Sequence, residues 1–257
     1  MQFKHFVSLL ILSAAIQAPS RTCQAQEVYP LYTIAEFDTH GKEVPMSKTN
    51  LQLLSYIENQ LNIKFDVRRV PWKRAIENAL NDGGLLMGMS ITKERSQKFV
   101  FSEAINGNGN WLVALCERTF KYEKLDDLKG KTIGIVSSTS VGEEFDAKAN
   151  QLFKVEHDTG AGIARLQKLV FKRVDAAIWY GNVGNPKEIE DTLNKNYELK
   201  SIGGKQTFCV LSKPVSIVTN HFAMRIDPQK NQIIQKISAA IIKGRKEGML
   251  PTLNLPN

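Results

Sequence analysis

Arg95 is the residue from which chemistry can be read in this chain. It stands in Ser90-Ile-Thr-Lys-Glu-Arg95-Ser-Gln-Lys-Phe-Val-Phe101, directly after the uncharged run Leu85-Leu-Met-Gly-Met89. That run lacks polar alternation, so it predicts a buried strand of a parallel sheet. Ser90 then falls at the strand's carboxyl end, and Thr92 is placed to cap a short helix. Arg95 becomes the third helical residue, where a cation opposes the helix dipole by roughly a few tenths of a kcal/mol. Two readings account for the placement. One is an anion bound between the guanidinium fork and the helix N-terminus. The other is an exposed arginine pairing with Glu94 or Glu103.

Nothing else in the chain spells out a reaction. No catalytic pair is marked and no G-x-S-x-G nucleophile motif occurs. His5, His40, His157 and His221 are scattered, and no cysteine stands in a metal-ligand cluster. No catalytic residue, metal or cofactor is therefore expected. The formal charge of +8 over 257 residues is diffuse, with Lys and Arg interleaved among Asp and Glu. A nucleic-acid surface needs basic runs with stacking aromatics between them, so nucleic acid is not an expected partner. Bulk basicity favours anionic solutes or an anionic envelope surface.

The elements that must hold Arg95 follow from periodicity. Lys4 and His5 precede an apolar stretch, Phe6 to Ile16, too short for a bilayer span of about 20 residues. Residues 1–25 thus read as a signal peptide cleaved before Gln26, and the mature protein as soluble and exported. Export puts Cys116 and Cys209 in an oxidising compartment, either as a disulfide or as two buried thiols. Val28 to Ile34 reads as a strand. Thr49 or Asn50 caps a helix with a Leu53, Leu54, Ile57, Leu61 stripe. Ile63, Phe65 and Val67 alternate as a second strand. Pro71 opens a helix carrying Trp72, Ala75, Ile76, Ala79 and Leu80, stopped at Gly83-Gly84. With the Leu85 strand the order is β-α-β-α-β.

Phe101 to Asn110 reads as a loop, Trp111 to Cys116 as a strand, and Glu117 to Lys131 as a charged surface segment. A second β-α-β-α-β run follows. Its strands are Thr132–Val136, Leu152–Glu156 and Val174–Trp179. Its first helix opens with a capping box, Ser140-Val-Gly-Glu143, and its second carries Ile163, Leu166 and Val170. Val215 to Ile226 is extended. Asp227-Pro228 begins a last helix with Ile233, Ile234, Ile237 and Ile241 on one face, which must pack back on an existing sheet.

These segments together carry a resemblance. Trp72 through the glycine turn, Ser90-Ile-Thr-Lys-Glu-Arg95 with Phe101-Ser-Glu103, Leu125-Asp-Asp-Leu-Lys-Gly-Lys-Thr-Ile-Gly134, Arg173-Val-Asp-Ala-Ala177 and Phe222 to Gly248 occur in one order. In that order the chain resembles bacterial extracellular solute-binding proteins of family 3. The resemblance implies an α/β, two-lobed periplasmic binding protein type II fold, each lobe a mostly parallel sheet flanked by helices, joined by two hinge strands. Lobe 1 would comprise residues 26–114 and 222–257, and lobe 2 residues 115–221. It implies a periplasmic, non-enzymatic, monomeric protein that captures a small carboxylate-bearing solute, an amino acid or related molecule, for the membrane subunits of an ABC transporter.

Carried over by position, Arg95 and Ser90 resemble the family's grip on the ligand carboxylate. Thr139 and Ser140 resemble the contacts to it from the second lobe. Trp72 and Phe37 resemble the cleft aromatics. A guanidinium fork offers a carboxylate a planar donor pair that lysine lacks. Two departures follow. Counting from Asp175, the aspartate that grips an α-amino group is Tyr180 here, which can only accept a hydrogen bond or offer a ring face. The glycine before Thr139 is Ser138. A dehydratase-like enzyme on this fold and a stand-alone sensor or binding module are the rival functions, the chain ending at Asn257 without an effector domain.

Overall fold

The computed structural model describes residues 26–38, 41–159, 162–182, 186–195, 207–229 and 231–253. The signal-peptide reading, with Cys23 and His5, and His40 lie outside them. The first unit is β1 (Glu27–Ile34), α1 (Lys48–Leu61), β2 (Ile63–Val70), α2 (Trp72–Asp82) and β3 (Leu85–Ser90). β1 pairs in parallel with both β2 and β3. A four-residue helix α3 (Lys93–Ser96) leads into β4 (Phe99–Leu115). The second unit repeats the first: β5 (Thr132–Val136), α4 (Glu143–Lys148), β6 (Lys154–Asp158), α5 (Gly162–Val170) and β7 (Ala176–Asn182). β5 is likewise the parallel partner of both its neighbours. α6 (Pro186–Lys195), β8 (Phe208–Val210), β9 (Ser216–Arg225) and α7 (Gln232–Lys246) complete the chain.

The strand order is β2-β1-β3-β9-β4-β7-β5-β6, with β8 on β4. β4 and β9 run antiparallel to one another and link the two parallel units. Both ends of the sheet are covered on both faces, as parallel strands require. At the β2-β1-β3 end, α1 and α7 supply Leu53, Leu54, Ile57, Ile233, Ile234, Ile237 and Ile241 to one face, and α2 supplies Trp72, Ala75 and Ala79 to the other. At the β7-β5-β6 end one face buries Ile133, Ile135, Phe145, Phe153 and Ile178. The other buries Leu166, Leu169, Leu193 and Phe208. Each such side chain contributes about 1.5–3 kcal/mol by leaving water.

Several sequence expectations shift. Residues 101–110 are not a loop but the middle of the 17-residue β4. Asn106 to Asn110 pair with Asn220 to Ser216 of β9, and Asn108 to Asn110 also pair with β7. Neighbours on both sides satisfy the backbone and override the turn propensity of Asn and Gly. Gly109 is needed there, since a Cβ would stand 2.4 Å from the Trp111 Nε1. The segment 117–131 is not a solvated surface either: it buries Tyr122, Leu125 and Leu128 while its charges face out. α1 is capped by Ser47 rather than Thr49 or Asn50. α7 begins at Gln232, because Asp227 takes the Asn231 side chain on its backbone N–H in a turn. β6 and β7 each begin two residues later than their apolar runs suggest.

Cys116 and Cys209 form a disulfide across a sequence separation of 93 residues. It fastens β8, which pairs with β4 next to it. Closing a loop of that length restricts the unfolded chain, so reduction or a Cys116→Ser/Cys209→Ser variant should lose about 2–5 kcal/mol. Urea midpoints with and without reductant measure the loss. His221, buried among β3, β4 and β9, donates from Nδ1 to the Ser102 carbonyl at 2.8 Å and accepts from the Thr219 hydroxyl at Nε2, also 2.8 Å. Burial lowers its pKa below 6.5. Between that depressed value and 6.5 the unfolded chain binds more protons, so stability falls as pH drops through this window. Denaturation curves from pH 7 to 5 should show the slope, and His221→Gln should flatten it.

Candidate functional site

The carboxyl ends of the parallel strands point at one another across β4 and β9 and leave a cavity of about 260 Å³ between them. Open α/β sheets place their ligands at this position. β1 contributes Thr33 and Ile34, β3 contributes Met87, Gly88 and Ser90, and α2 contributes Trp72. From the opposite side come Val136, Thr139, Ser140, Arg165 and Tyr180, with Asn106, Asn108 and Asn220 of the crossing strands as the floor. Gly88 has φ 98°, a conformation costly to any side chain, and sits where the pairing of β3 with β9 shifts register. A second, more open groove of about 820 Å³ shares Arg95, Thr139 and Ser140. Its wall mixes Lys73, Lys93 and Lys98 with Glu77, Glu94 and Glu143 and has no convergent buried polar set.

Thr92 caps α3 through a bond from the Arg95 backbone N–H at 3.1 Å, as its position predicts. The Arg95 guanidinium turns back from this turn. Nη1 donates to the Ser90 carbonyl at 2.9 Å and to Ser90 Oγ at 2.7 Å, and Nη2 donates to the Ser138 carbonyl at 2.9 Å. All three acceptors are neutral. Glu94 instead pairs with Lys98 and Glu103 with Arg245, so the surface-pair reading of Arg95 fails. Among the described residues no carboxylate lies within ion-pair distance of it. Burial draws its pKa down, with Asp146, Glu94 and Tyr180 opposing the shift. Three of its five N–H groups are committed, which leaves Nε–H and one Nη2–H uncommitted.

The Ser138 carbonyl that meets Arg95 belongs to a residue in the left-handed region, φ 61°. Thr139 Oγ1 gives its proton to the Val136 carbonyl at 2.7 Å. At its 2.8 Å contact with the Tyr180 hydroxyl the phenol must therefore be the donor. Burial raises the Tyr180 pKa, so the phenol stays neutral. Ser140 does not form the capping box: its hydroxyl bonds Asp146, and α4 has Gly142 at its N-cap without a side-chain bond. Glu143 reaches across instead and accepts the Lys93 backbone N–H at 2.7 Å.

Of the residues picked from the sequence, Arg95, Ser90, Thr139, Ser140, Trp72 and Tyr180 meet on this one cavity. Phe37 does not. It is 37% exposed, and its backbone bridges Glu43 in the loop after β1. Arg165 was missed. It is 4% exposed on the cavity wall, with Nη1 donating to both oxygens of buried Asp158 at 3.2 and 3.4 Å. Its guanidinium lies over the Tyr180 ring, 5.4 Å from the centroid. Its spacing from buried Leu169 (i, i+4) puts it on the inward face of α5, a signal the sequence did hold.

No protein-family model matches the chain. The chain is 24% identical over 169 residues to the putative ABC transporter arginine-binding protein 2 of Escherichia coli (strain K12), covering 66% of this chain and 63% of that protein's length. Among solved structures, an ancestral arginine-binding protein bound to arginine superposes with TM-score 0.68 at 20% identity, over 88% of this chain and 96% of that one. An amino acid ABC transporter substrate-binding protein from Streptococcus pneumoniae bound to L-arginine gives TM-score 0.66 at 17% identity, over 86% and 90%. The resemblance read from the sequence holds in these comparisons, and the fold is the mixed α/β fold of arginine-binding proteins of this kind.

The Arg165–Asp158 pair is buried on both sides. Asp158→Asn strands a cation in the interior and should cost about 3–5 kcal/mol. Glu94→Gln, which breaks an exposed pair, should cost no more than about 1 kcal/mol. Chemical denaturation of the two variants beside the wild type measures the contrast.

Proposed function

We propose that this chain is a periplasmic substrate-binding protein of solute-binding family 3, which captures a small carboxylate-bearing solute, an amino acid or related molecule, for ABC-type import. It works without chemistry of its own. Residues 26–114 with 222–257 form one lobe and residues 115–221 the other, with β4 and β9 as the hinge strands between them. The two core clusters at each end of the sheet support a two-lobe division, with Leu112, Val113 and Ala114 of β4 packing into the second end and Val136 into the first, as does the long pairing of β4 with β9. The similar proteins from Escherichia coli and Streptococcus pneumoniae, arginine- and amino-acid-binding proteins of ABC transporters, support the role.

The observation that carries the reading is Arg95: a half-buried guanidinium, fixed by neutral acceptors, with N–H groups not committed to any described residue, on a cavity of metabolite size. A carboxylate is the partner that a planar donor pair matches in shape and charge. Ser90 stands beside the fork on one lobe, and Thr139 and Ser140 stand opposite on the other. Trp72 and Tyr180 line the flanks. The Arg95–Ser138 and Lys93–Glu143 bonds join the two sides of the cleft. A ligand bound across that seam stabilises the closed arrangement by its preference for it.

Arg95→Ala should weaken carboxylate binding by about 2–5 kcal/mol, roughly thirtyfold or more. Arg95→Lys, which keeps the charge and loses the fork, should recover only part of that. Ligand-induced thermal stabilisation followed over a series of small carboxylates reads both variants. Undiminished stabilisation in Arg95→Ala counts against the site.

A further inference from the structure

We propose that Arg165 determines specificity: held by Asp158 against the ring of Tyr180, it keeps positive charge off the cavity wall that Tyr180 and Thr139 form. The cargo is then a carboxylate without net positive charge, and amino acids with cationic side chains are excluded. This deepens the reading that Arg95 anchors a carboxylate and rests on it.

Three observations converge. The first is the charge census of the cavity wall. Arg95, Arg165 and Glu36 are its charged residues among those described, and Glu36 is exposed. A cationic end entering this cavity meets two guanidiniums and has no buried carboxylate waiting for it. Like charges repel more strongly once water is displaced, because the effective dielectric falls. Asp158 does not reverse this. Both its oxygens accept from Arg165 Nη1, and the arginine, not the aspartate, is the member of the pair that lines the cavity.

The second observation concerns Tyr180. An aromatic face is the other device that takes an ammonium or guanidinium group. The Arg165 guanidinium already lies 5.4 Å from the centre of this ring. The Tyr180 hydroxyl donates its proton to Thr139, so what it offers a ligand is an oxygen that accepts. The third observation is Arg165 Nε, which is buried and has no hydrogen-bond partner among the described residues. An N–H in that condition calls for an acceptor and offers nothing to a cation. The amides of Asn106, Asn108 and Asn220 complete a neutral polar lining that suits hydroxyl, amide or carboxyl groups.

The test is binding by calorimetry and thermal shift with L-arginine, L-lysine, L-glutamine, L-glutamate and succinate. L-glutamine, L-glutamate or succinate should bind the wild type, and L-arginine and L-lysine should bind at least roughly tenfold more weakly than the best of these. In Arg165→Gln/Asp158→Asn, which removes the charge without stranding its partner, the gap should close to within about threefold. Arg165→Lys should retain the exclusion, a result that packing alone at this position does not produce. Wild-type protein that binds L-arginine or L-lysine as tightly as the best neutral or acidic compound overturns the proposal whether or not the variants fold. So does a double variant that keeps full discrimination. Arg95→Ala separates the two readings: if the wild type prefers L-arginine and Arg95→Ala abolishes that binding, the carboxylate anchor stands and the role of Arg165 falls. If Arg95→Ala leaves binding of the preferred compound intact, the anchor itself falls. Failure of all five compounds to bind overturns both.

Discussion

A guanidinium satisfied by neutral oxygens keeps its charge, and the proposed site depends on that condition at Arg95. Had Glu94 or Glu103 closed on it, the cavity would be electrostatically spent. Glu94 is drawn instead to Lys98, one turn along the same segment, and Glu103 to Arg245 of α7. The carbonyls of Ser90 and Ser138 and the Ser90 hydroxyl hold the group in place without cancelling it. Bonds to a charged donor are each stronger than neutral ones by about a factor of two, so the side chain is fixed while its net charge remains. The conformation of Ser138 is part of the arrangement. Its left-handed backbone costs about 1–2 kcal/mol, and its carbonyl accepts from Arg95 from across the cleft.

The two parallel units could not share a site without β4 and β9. Each unit ends its strands at the cavity, and these two antiparallel strands bridge them: β9 pairs with β3 of the first unit, β4 with β7 of the second, and β4 and β9 with each other. The middle segment of β4 carries only glycine and amide side chains, Asn106 to Asn110, and pairs with Ser216, Ile217, Val218, Thr219 and Asn220 of β9. A floor of this composition satisfies its backbone within the sheet, and its amides also bond one another, Asn220 Nδ2 donating to Asn106 Oδ1 at 2.9 Å beneath the cavity. Asn110 also ties the floor to the far wall, donating from Nδ2 to the Val141 carbonyl at 3.0 Å and to Ser216 Oγ at 2.9 Å.

Legibility of the sequence followed periodicity. The parallel units, the apolar stripes of α1, α2 and α7, the cap at Thr92 and the carboxyl-end position of Ser90 were all readable, because burial and local geometry agree there. β4 was not. Its Asn and Gly residues have turn propensities, and only partners at least 70 residues away in sequence, in β7 and β9, make them a strand. Ser140 failed for a related reason. The Ser-x-x-Glu spacing fits a capping box, yet Asp146 takes the serine and the Lys93 backbone takes Glu143. A local motif loses when a tertiary partner offers a charge-assisted bond to the same atoms.

Arg165 shows how a site can be hidden by its own compensation. An arginine on the inward face of a helix resembles a surface residue in sequence until Asp158, seven positions earlier at the end of β6, is seen to receive it. The pair needs both members: burial of either alone is prohibitive, and together they cost little net charge. What the pair does change is the direction of the field at the wall, since the guanidinium and not the carboxylate lines the cavity. Two neighbouring carboxyl-end positions, Tyr180 on β7 and Arg165 on α5, then act as one surface: the phenol supplies the ring, and the arginine lies over it. The same fold can therefore carry cavities of opposite preference with little change in its layers, because the sign of the far wall depends on which end of one buried ion pair is turned toward the ligand.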